Sequence, residues 1–238
     1  LYGTIQSALF TLLAVYATSM NFTILEISIV TLLLAVSGAI AQFPIGKISD
    51  MYDRRKVIVF STFGAAMFSI FAILVSRQMY LPGSLATSKT WFYNFFILFS
   101  FCSLPMFSLI LAHTNDYISK DKFVAAGAGL QFAFGLGAMS GPFLCSIFMD
   151  LVGSNGFFVF LFFFHCIIGF FGIYRMTVRQ SVDNPDSQFV AMPQTITPAG
   201  IELNPTTEHI EEPYSDKVKE ILERKGVKYK KDEDEMKA

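Results

Sequence analysis

Long apolar runs separated by short polar breaks occupy the first three quarters of the chain. Six of them, at roughly 2–20, 24–45, 57–76, 91–112, 123–148 and 157–176, are each long enough for a helix to cross ~30 Å of hydrocarbon. The runs are continuous rather than alternating, and an open sheet edge would leave backbone groups unpaired in lipid, so the pattern predicts helices. The fifth run is overlong, so its ends are expected to project into water or the helix to tilt.

Composition agrees with lipid as the solvent. Hydrophobic residues make up 53% of the 238-residue chain, charged residues only 16%, and Phe alone numbers 27, well to the apolar side of a soluble domain. The net charge of −1 hides a segregation. Residues 1–179 carry ten Lys/Arg against six Asp/Glu, and residues 180–238 carry eight against thirteen.

The basic residues of the short breaks set an orientation. Lys47, Arg54, Arg55 and Lys56 follow the second run, Lys120 and Lys122 the fourth, and Arg175 and Arg179 the sixth, whereas the opposite breaks hold only Arg77 and Lys89. The even-numbered loops and the tail are therefore expected in the cytoplasm. The chain begins at Leu1, almost inside a helix and without a basic flank, which reads as a C-terminal piece of a longer protein and not as a signal peptide.

Beyond Arg179 the character changes. Gln180 to Pro213 is rich in Asn, Asp, Thr, Pro and Glu, too poor in large apolar side chains to offset its ordering entropy, and is expected to be disordered. A short amphipathic helix is expected at about 215–225, with Ser215 as its cap, Val218, Ile221 and Leu222 on one face and Gly226 ending it. This divides the chain into a transmembrane domain, 1–179, and a cytoplasmic tail, 180–238, whose removal is expected to leave the helices working.

Candidate chemistry is sparse. Three scattered His and no zinc-like Cys/His spacing argue against a metal site. Cys102, Cys145 and Cys166 lie within apolar runs, where a thiol behaves as a small hydrophobe. Ser140-Gly141 and His165 lie on adjacent runs, but Pro142 follows and Gly-x-Ser-Gly is absent, so a membrane serine hydrolase is not expected. Neither an enzyme, a cofactor nor a nucleic-acid partner is predicted.

The densest information lies in Gly46-Lys47-Ile48-Ser49-Asp50-Met51-Tyr52-Asp53-Arg54-Arg55-Lys56, six charges wedged between two apolar runs. The spacing Gly-x-x-x-Asp-x-x-x-Arg-Arg resembles the signature loop of the major facilitator superfamily of secondary transporters, matched at Gly46, Asp50, Arg54, Arg55 and Lys56. Met51 stands where that family usually has a basic residue. Asp53 replaces its usual Gly, a variant similar to the bacterial YcaD-type branch. The fifth run adds Gly127, Gly129, Gly135, Gly137 and Gly141-Pro142, similar to the glycine-rich fifth helix of each facilitator half. Small residues at this spacing let helices approach, and Pro142 removes a backbone hydrogen bond, so Gly135, Gly137, Gly141 and Pro142 are expected to serve packing or hinge motion.

The resemblance covers residues 1 to about 179. It implies an all-α membrane protein of six transmembrane helices, arranged as two inverted three-helix repeats and forming the C-terminal half of a twelve-helix protein. The third and sixth helices would lie outermost, and the other four would line a path. The implied partners are the lipid bilayer, the N-terminal six-helix half of the same protein, and a small-molecule substrate with or without a co-transported ion. The implied location is the bacterial inner membrane. Asp50 would latch the cytoplasmic face by accepting bonds from exposed amides at another helix N-terminus, and Asp116, at the same depth as Arg54, would pair with it across two loops. Gln6, Tyr16, Asn94 and Gln131 are the polar residues deep enough in apolar runs to be substrate-path candidates. His165 is expected to bond a neighbouring carbonyl. Glu26 and Asp150 lie near the outer ends of their runs. The competing reading is a six-helix scaffold or receptor whose tail binds partners.

Overall fold

The computed structural model describes residues 1–78, 85–118 and 122–178, together with Phe189 and Ala191. Among these residues every regular element is helical: α1 Tyr2–Ser19, α2 Ile24–Met51, α3 Arg54–Gln78, α4 Leu85–Ser103, α5 Met106–Asn115, α6 Phe123–Val152 and α7 Gly156–Val178. They all belong to one compact unit, Leu1–Thr207. The second unit, Glu208–Ala238, contains the helix expected at about 215–225 and lies outside the described residues.

Among the described residues five helical stretches are long and apolar enough to cross a membrane: Ile24–Met51, Arg54–Gln78, Ser88–Asn115, Phe123–Val152 and Gly156–Val178. Two differences from the expected six helices have physical causes. The fourth run is broken at Leu104–Pro105 into α4 and α5, because Pro105 supplies no N–H and its ring crowds the preceding turn. The first run forms α1, whose 18 residues include Thr4, Gln6, Ser7, Thr11, Thr18 and Ser19 and which is not among the five. Its side chains from Tyr2 to Ala17 are extensively buried, Thr4 and Gln6 among them, whereas Thr11, Thr18 and Ser19 are exposed.

The ends of α2 are well determined. At the start, Thr23 and Glu26 form a capping box: the Thr23 N–H donates to Glu26 Oε2 at 2.7 Å and the Glu26 N–H to Thr23 Oγ1 at 3.3 Å, satisfying donors the helix cannot. Lys89 at the start of α4 completes this corner, 2.7 Å from Glu26 Oε1 and 4.8 Å above the Phe22 ring.

The helices pair as α1 with α6, α2 with α4, and α3 with both α4 and α7. The tightest seam is α1 on α6. A Cβ at Gly141 would overlap the Thr4 carbonyl and Ser7 Oγ, one at Gly3 would overlap the Phe134 carbonyl, and one at Gly137 would stand 3.1 Å from the Thr4 nitrogen. Backbone cannot yield as a flexible side chain can, so these glycines set the approach distance. Gly135 does not join them, since a Cβ there meets nothing within 4 Å. Pro142 lies inside α6, which continues past it to Val152.

The core between α1, α4 and α7 is aromatic. Tyr16 stacks between Phe92, at 6.0 Å between centroids, and Phe157, at 5.2 Å, and meets Phe158 edge-on at 5.0 Å. Helices already in lipid gain little from the hydrophobic effect on pairing, so close packing and favourable ring geometry hold this seam. The sixth run forms α7, which buries Phe157, Phe158, Phe160, Leu161, Phe164 and His165 while exposing Phe163, Phe170, Phe171 and Tyr174. The more open helices are α2 and α6, which expose Leu25, Leu32, Ile40, Phe43, Phe132, Leu136, Met139 and Phe143. In a membrane an apolar side chain suits lipid and protein neighbours alike, so apolarity does not identify the outer face.

Candidate functional site

The charge-rich stretch is less of a loop than its polarity suggests. Gly46 to Met51 are the last turns of α2, Tyr52 and Asp53 make the connection, and Arg54 opens α3. The helical spacing puts Gly46 and Asp50 one turn apart on one face of α2. Arg54, four residues further, reaches back from the first turn of α3 and donates from Nη2 to Asp50 Oδ1 at 2.8 Å.

Arg54 is the centre of the cluster. Its Nε lies 3.4 Å from Asp116 Oδ2, and the two side chains are only 8% and 9% exposed. Asp116 is the C-cap of α5, with His113 Nδ1 4.0 Å away. One buried guanidinium therefore ties the end of α2, the start of α3 and the end of α5 through two carboxylates. In so enclosed a place a lone charge would be costly, which is why both acids are needed.

Asp53 does a separate task. It precedes the first turn of α3, and its Oδ1 accepts from the Arg55 backbone N–H at 3.0 Å and from Arg55 Nε at 3.1 Å, while Oδ2 accepts from Nη2 at 2.8 Å. It thus caps a helix that otherwise opens on Arg-Arg-Lys, the wrong sign for the positive end of the dipole. The Arg55 side-chain bonds hold the Asp53 carboxyl below the usual aspartate range, with burial opposing and the Arg55 backbone bond reinforcing. Lys56 stands apart: it is exposed and forms no ion pair among the described residues.

A contact invisible to sequence pattern completes the site. The backbone N–H of Phe189 donates to Asp50 Oδ1 at 2.8 Å, and the Phe189 ring occupies the space a side chain at position 46 would fill. Asp50 was expected to receive amides from a helix N-terminus; among the described residues its donors are Arg54 and this single tail amide. Sequence gave one hint, an aromatic in a polar stretch.

The substrate-path candidates do not converge. Gln6 is buried, with Nε2 donating to Tyr2 Oη at 2.7 Å, and its Oε1 has no partner among the described residues. Tyr16 belongs to the aromatic core. Asn94 is exposed on α4, and Gln131, partly buried on α6, leaves Oε1 without a partner. The polar cluster that does form joins an expected contact, His165 on a neighbouring carbonyl, to one not anticipated: Tyr2 Oη donates to the carbonyls of Ser103 and Leu104 at 3.1 and 3.2 Å, the groups exposed by the α4–α5 break. Beside it Ser103 Oγ lies 3.0 Å from His165 Nε2, and His165 Nδ1 lies 2.7 Å from the Leu161 carbonyl. A carbonyl only accepts, so Nδ1 carries the proton and Nε2 accepts from the serine.

A shallow cleft of about 230 Å³ lined by Arg55, His113, Thr114, Tyr117, Ile118 and Arg175 adjoins the network. No substrate-path candidate lines it.

Apolar helices of spanning length, with charges gathered in the connections, define an integral membrane protein. Comparison with known proteins makes this specific. Residues 1–218 match the family described as the Major Facilitator Superfamily, and the chain belongs to that family. An uncharacterized MFS-type transporter of Yersinia enterocolitica is 26% identical over 190 residues, covering 80% of this chain and 44% of the relative. A Yersinia pestis protein of the same description is 24% identical over the same shares. The uncharacterized MFS-type transporter YfkF of Bacillus subtilis is 26% identical over 165 residues, 67% of this chain and 38% of the relative. The chain thus spans less than half the length of these relatives. No solved structure matches it. The relatives it matches are described as transporters.

Proposed function

We propose that this chain is the C-terminal six-helix half, residues 1–179 with a cytoplasmic tail from 180, of a secondary transporter. It moves a small solute, with or without a co-transported ion, by alternating access across a bacterial inner membrane. Two observations support the reading. Two of the helix seams fit a three-helix repeat: if α1, α2 and α3 correspond to α4–α5, α6 and α7, then the α1–α6 seam maps onto α4–α2 and the α3–α7 seam onto itself, whereas the α3–α4 seam maps onto the slighter α1–α7 contact. The extensive apolar faces of α2 and α6 fit a second half seated against them.

The observation that carries the mechanism is the buried Arg54 bridging Asp50 and Asp116. An ion network joining three helix ends has two discrete arrangements, made or broken, and can hold the cytoplasmic face shut until the halves rock. Asp50 is about a third exposed, so its carboxylate remains open to a partner in the other half. Gln6 and Gln131, whose Oε1 atoms have no partner among the described residues, are the path candidates that could turn to a solute.

The test is reconstitution of the full-length protein in proteoliposomes given a filtered small-molecule extract of cells, with the lumen analysed by mass spectrometry. Protein-dependent accumulation of at least one solute is expected, and Asp50→Asn should reduce it by roughly tenfold or more at unchanged protein level. Accumulation that ignores this substitution would leave the cluster a topology anchor.

A further inference from the structure

Three independent features meet at residue 189. The Phe189 N–H donates to Asp50 Oδ1. Its ring lies over Gly46, with Cε1 2.5 Å from the point a Cβ would occupy. The ring also packs on the small cytoplasmic core of Tyr2, Ala41, Ile45, Val57 and Met106. Phe189 is the single aromatic residue between Gln180 and Pro213, so this stretch offers one side chain able to fill such a hollow.

We propose that Gly46 and Asp50 form a docking seat for the chain's own tail, with Phe189 as its anchor, and that the docked tail restrains transport. One turn of α2 supplies both halves of the seat. The missing side chain at 46 makes room for the ring, and the carboxylate at 50 receives the amide beside it. Gly46 is thus required by the ring it accommodates, since α2 continues through it in ordinary helical conformation. The restraint follows from occupancy. Arg54 and Phe189 both donate to the same oxygen of Asp50, and the Phe189 ring covers the turn of α2 beside it, so a donor from the other half that approaches that oxygen competes with the tail. The docking stands without the latch reading, whereas its effect on transport rests on it.

Amide hydrogen exchange of the full-length protein in detergent tests the docking. The Phe189 amide should exchange at least roughly tenfold more slowly than in an unstructured peptide, and Phe189→Ala should remove that protection, as expected for losing most of a buried phenyl ring. Gly46→Leu, which fills the seat, should do the same. If that variant fails to fold, Phe189→Ala decides alone, since it alters no helix. Exchange of the wild-type amide at the free-peptide rate overturns the proposal. In proteoliposomes given the small-molecule extract, Phe189→Ala should accumulate the transported solute several-fold faster. Equal rates at equal protein level overturn the restraint. Indifference to Asp50→Asn would sink the latch yet leave the exchange result standing, so the two failures are distinguishable.

Discussion

At the scale of residues, the cluster between α2 and α3 divides its arginines between two tasks, and the two are separable by experiment. Arg54 is buried with Asp116, so removing either partner leaves a charge where little water reaches it. Arg54→Gln and Asp116→Asn should each lower the stability of the full-length protein in detergent by about 3 kcal/mol. The double variant should cost less than the sum, and the exchange Arg54→Asp with Asp116→Arg should recover part of the loss. Strict additivity in that cycle would show that the pair is not coupled. Asp53 and Arg55 lie nearer the surface and serve the start of α3. The Asp53 carboxyl is held below its ordinary value, so the folded state binds its proton less readily than the unfolded chain does. Its stabilisation is complete above the ordinary aspartate value of about 4 and is lost as pH falls through the lower folded value. Asp53→Asn keeps a capping oxygen but not the charge. The difference in melting temperature between wild type and this variant should be constant from pH 7 to 5 and shrink below about pH 4. A difference that does not change with pH would mean that only the cap matters.

At the scale of elements, five of the six predicted runs each became one helix, because continuous apolarity of spanning length admits little else. The fourth did not, and Pro105 was the overlooked signal: a proline removes one helical hydrogen bond and crowds the preceding turn. Pro44 and Pro142 sit inside unbroken helices, so the residue type alone does not decide. What distinguishes the α4–α5 break is Tyr2, whose hydroxyl caps both the Ser103 and Leu104 carbonyls. Tyr2 and Pro105 lie a hundred positions apart, and no local pattern links them. The same limit explains why the Arg54–Asp116 meeting was legible, both residues ending apolar runs on the same side, whereas the placements of Gln6 and Tyr16 were not. Polar atoms deep in a run face protein, but which protein group they face depends on rotation about the helix axis. Tyr2→Phe tests the break directly. It should cost about 1–3 kcal/mol in detergent unfolding, the penalty for buried acceptors left without a donor. A Phe variant as stable as wild type would mean that the two carbonyls find another donor.

At the scale of the whole molecule, the proposal depends on how many times the chain crosses the membrane, and the basic residues make that measurable. If α2 and α3 cross in opposite senses with their shared turn in the cytoplasm, Tyr52, exposed beside Asp53, faces the cytoplasm. Ser154, in the turn between α6 and α7, then lies on the opposite side, because the positive-inside rule assigns the Lys47–Lys56 cluster and Arg175 to one face and leaves the intervening turn without a cation. Background from this chain is low: Cys102, Cys145 and Cys166 all lie within apolar helices, out of reach of a membrane-impermeant maleimide. In sealed vesicles of known orientation bearing the full-length protein, Tyr52→Cys should label only from the cytoplasmic face and Ser154→Cys only from the other. Labelling of both from one face would require the stretch between them to cross an even number of times, through a helix that enters and returns. That would remove the three-plus-three symmetry on which the inverted repeat, and with it the rocking of two equivalent halves, depends.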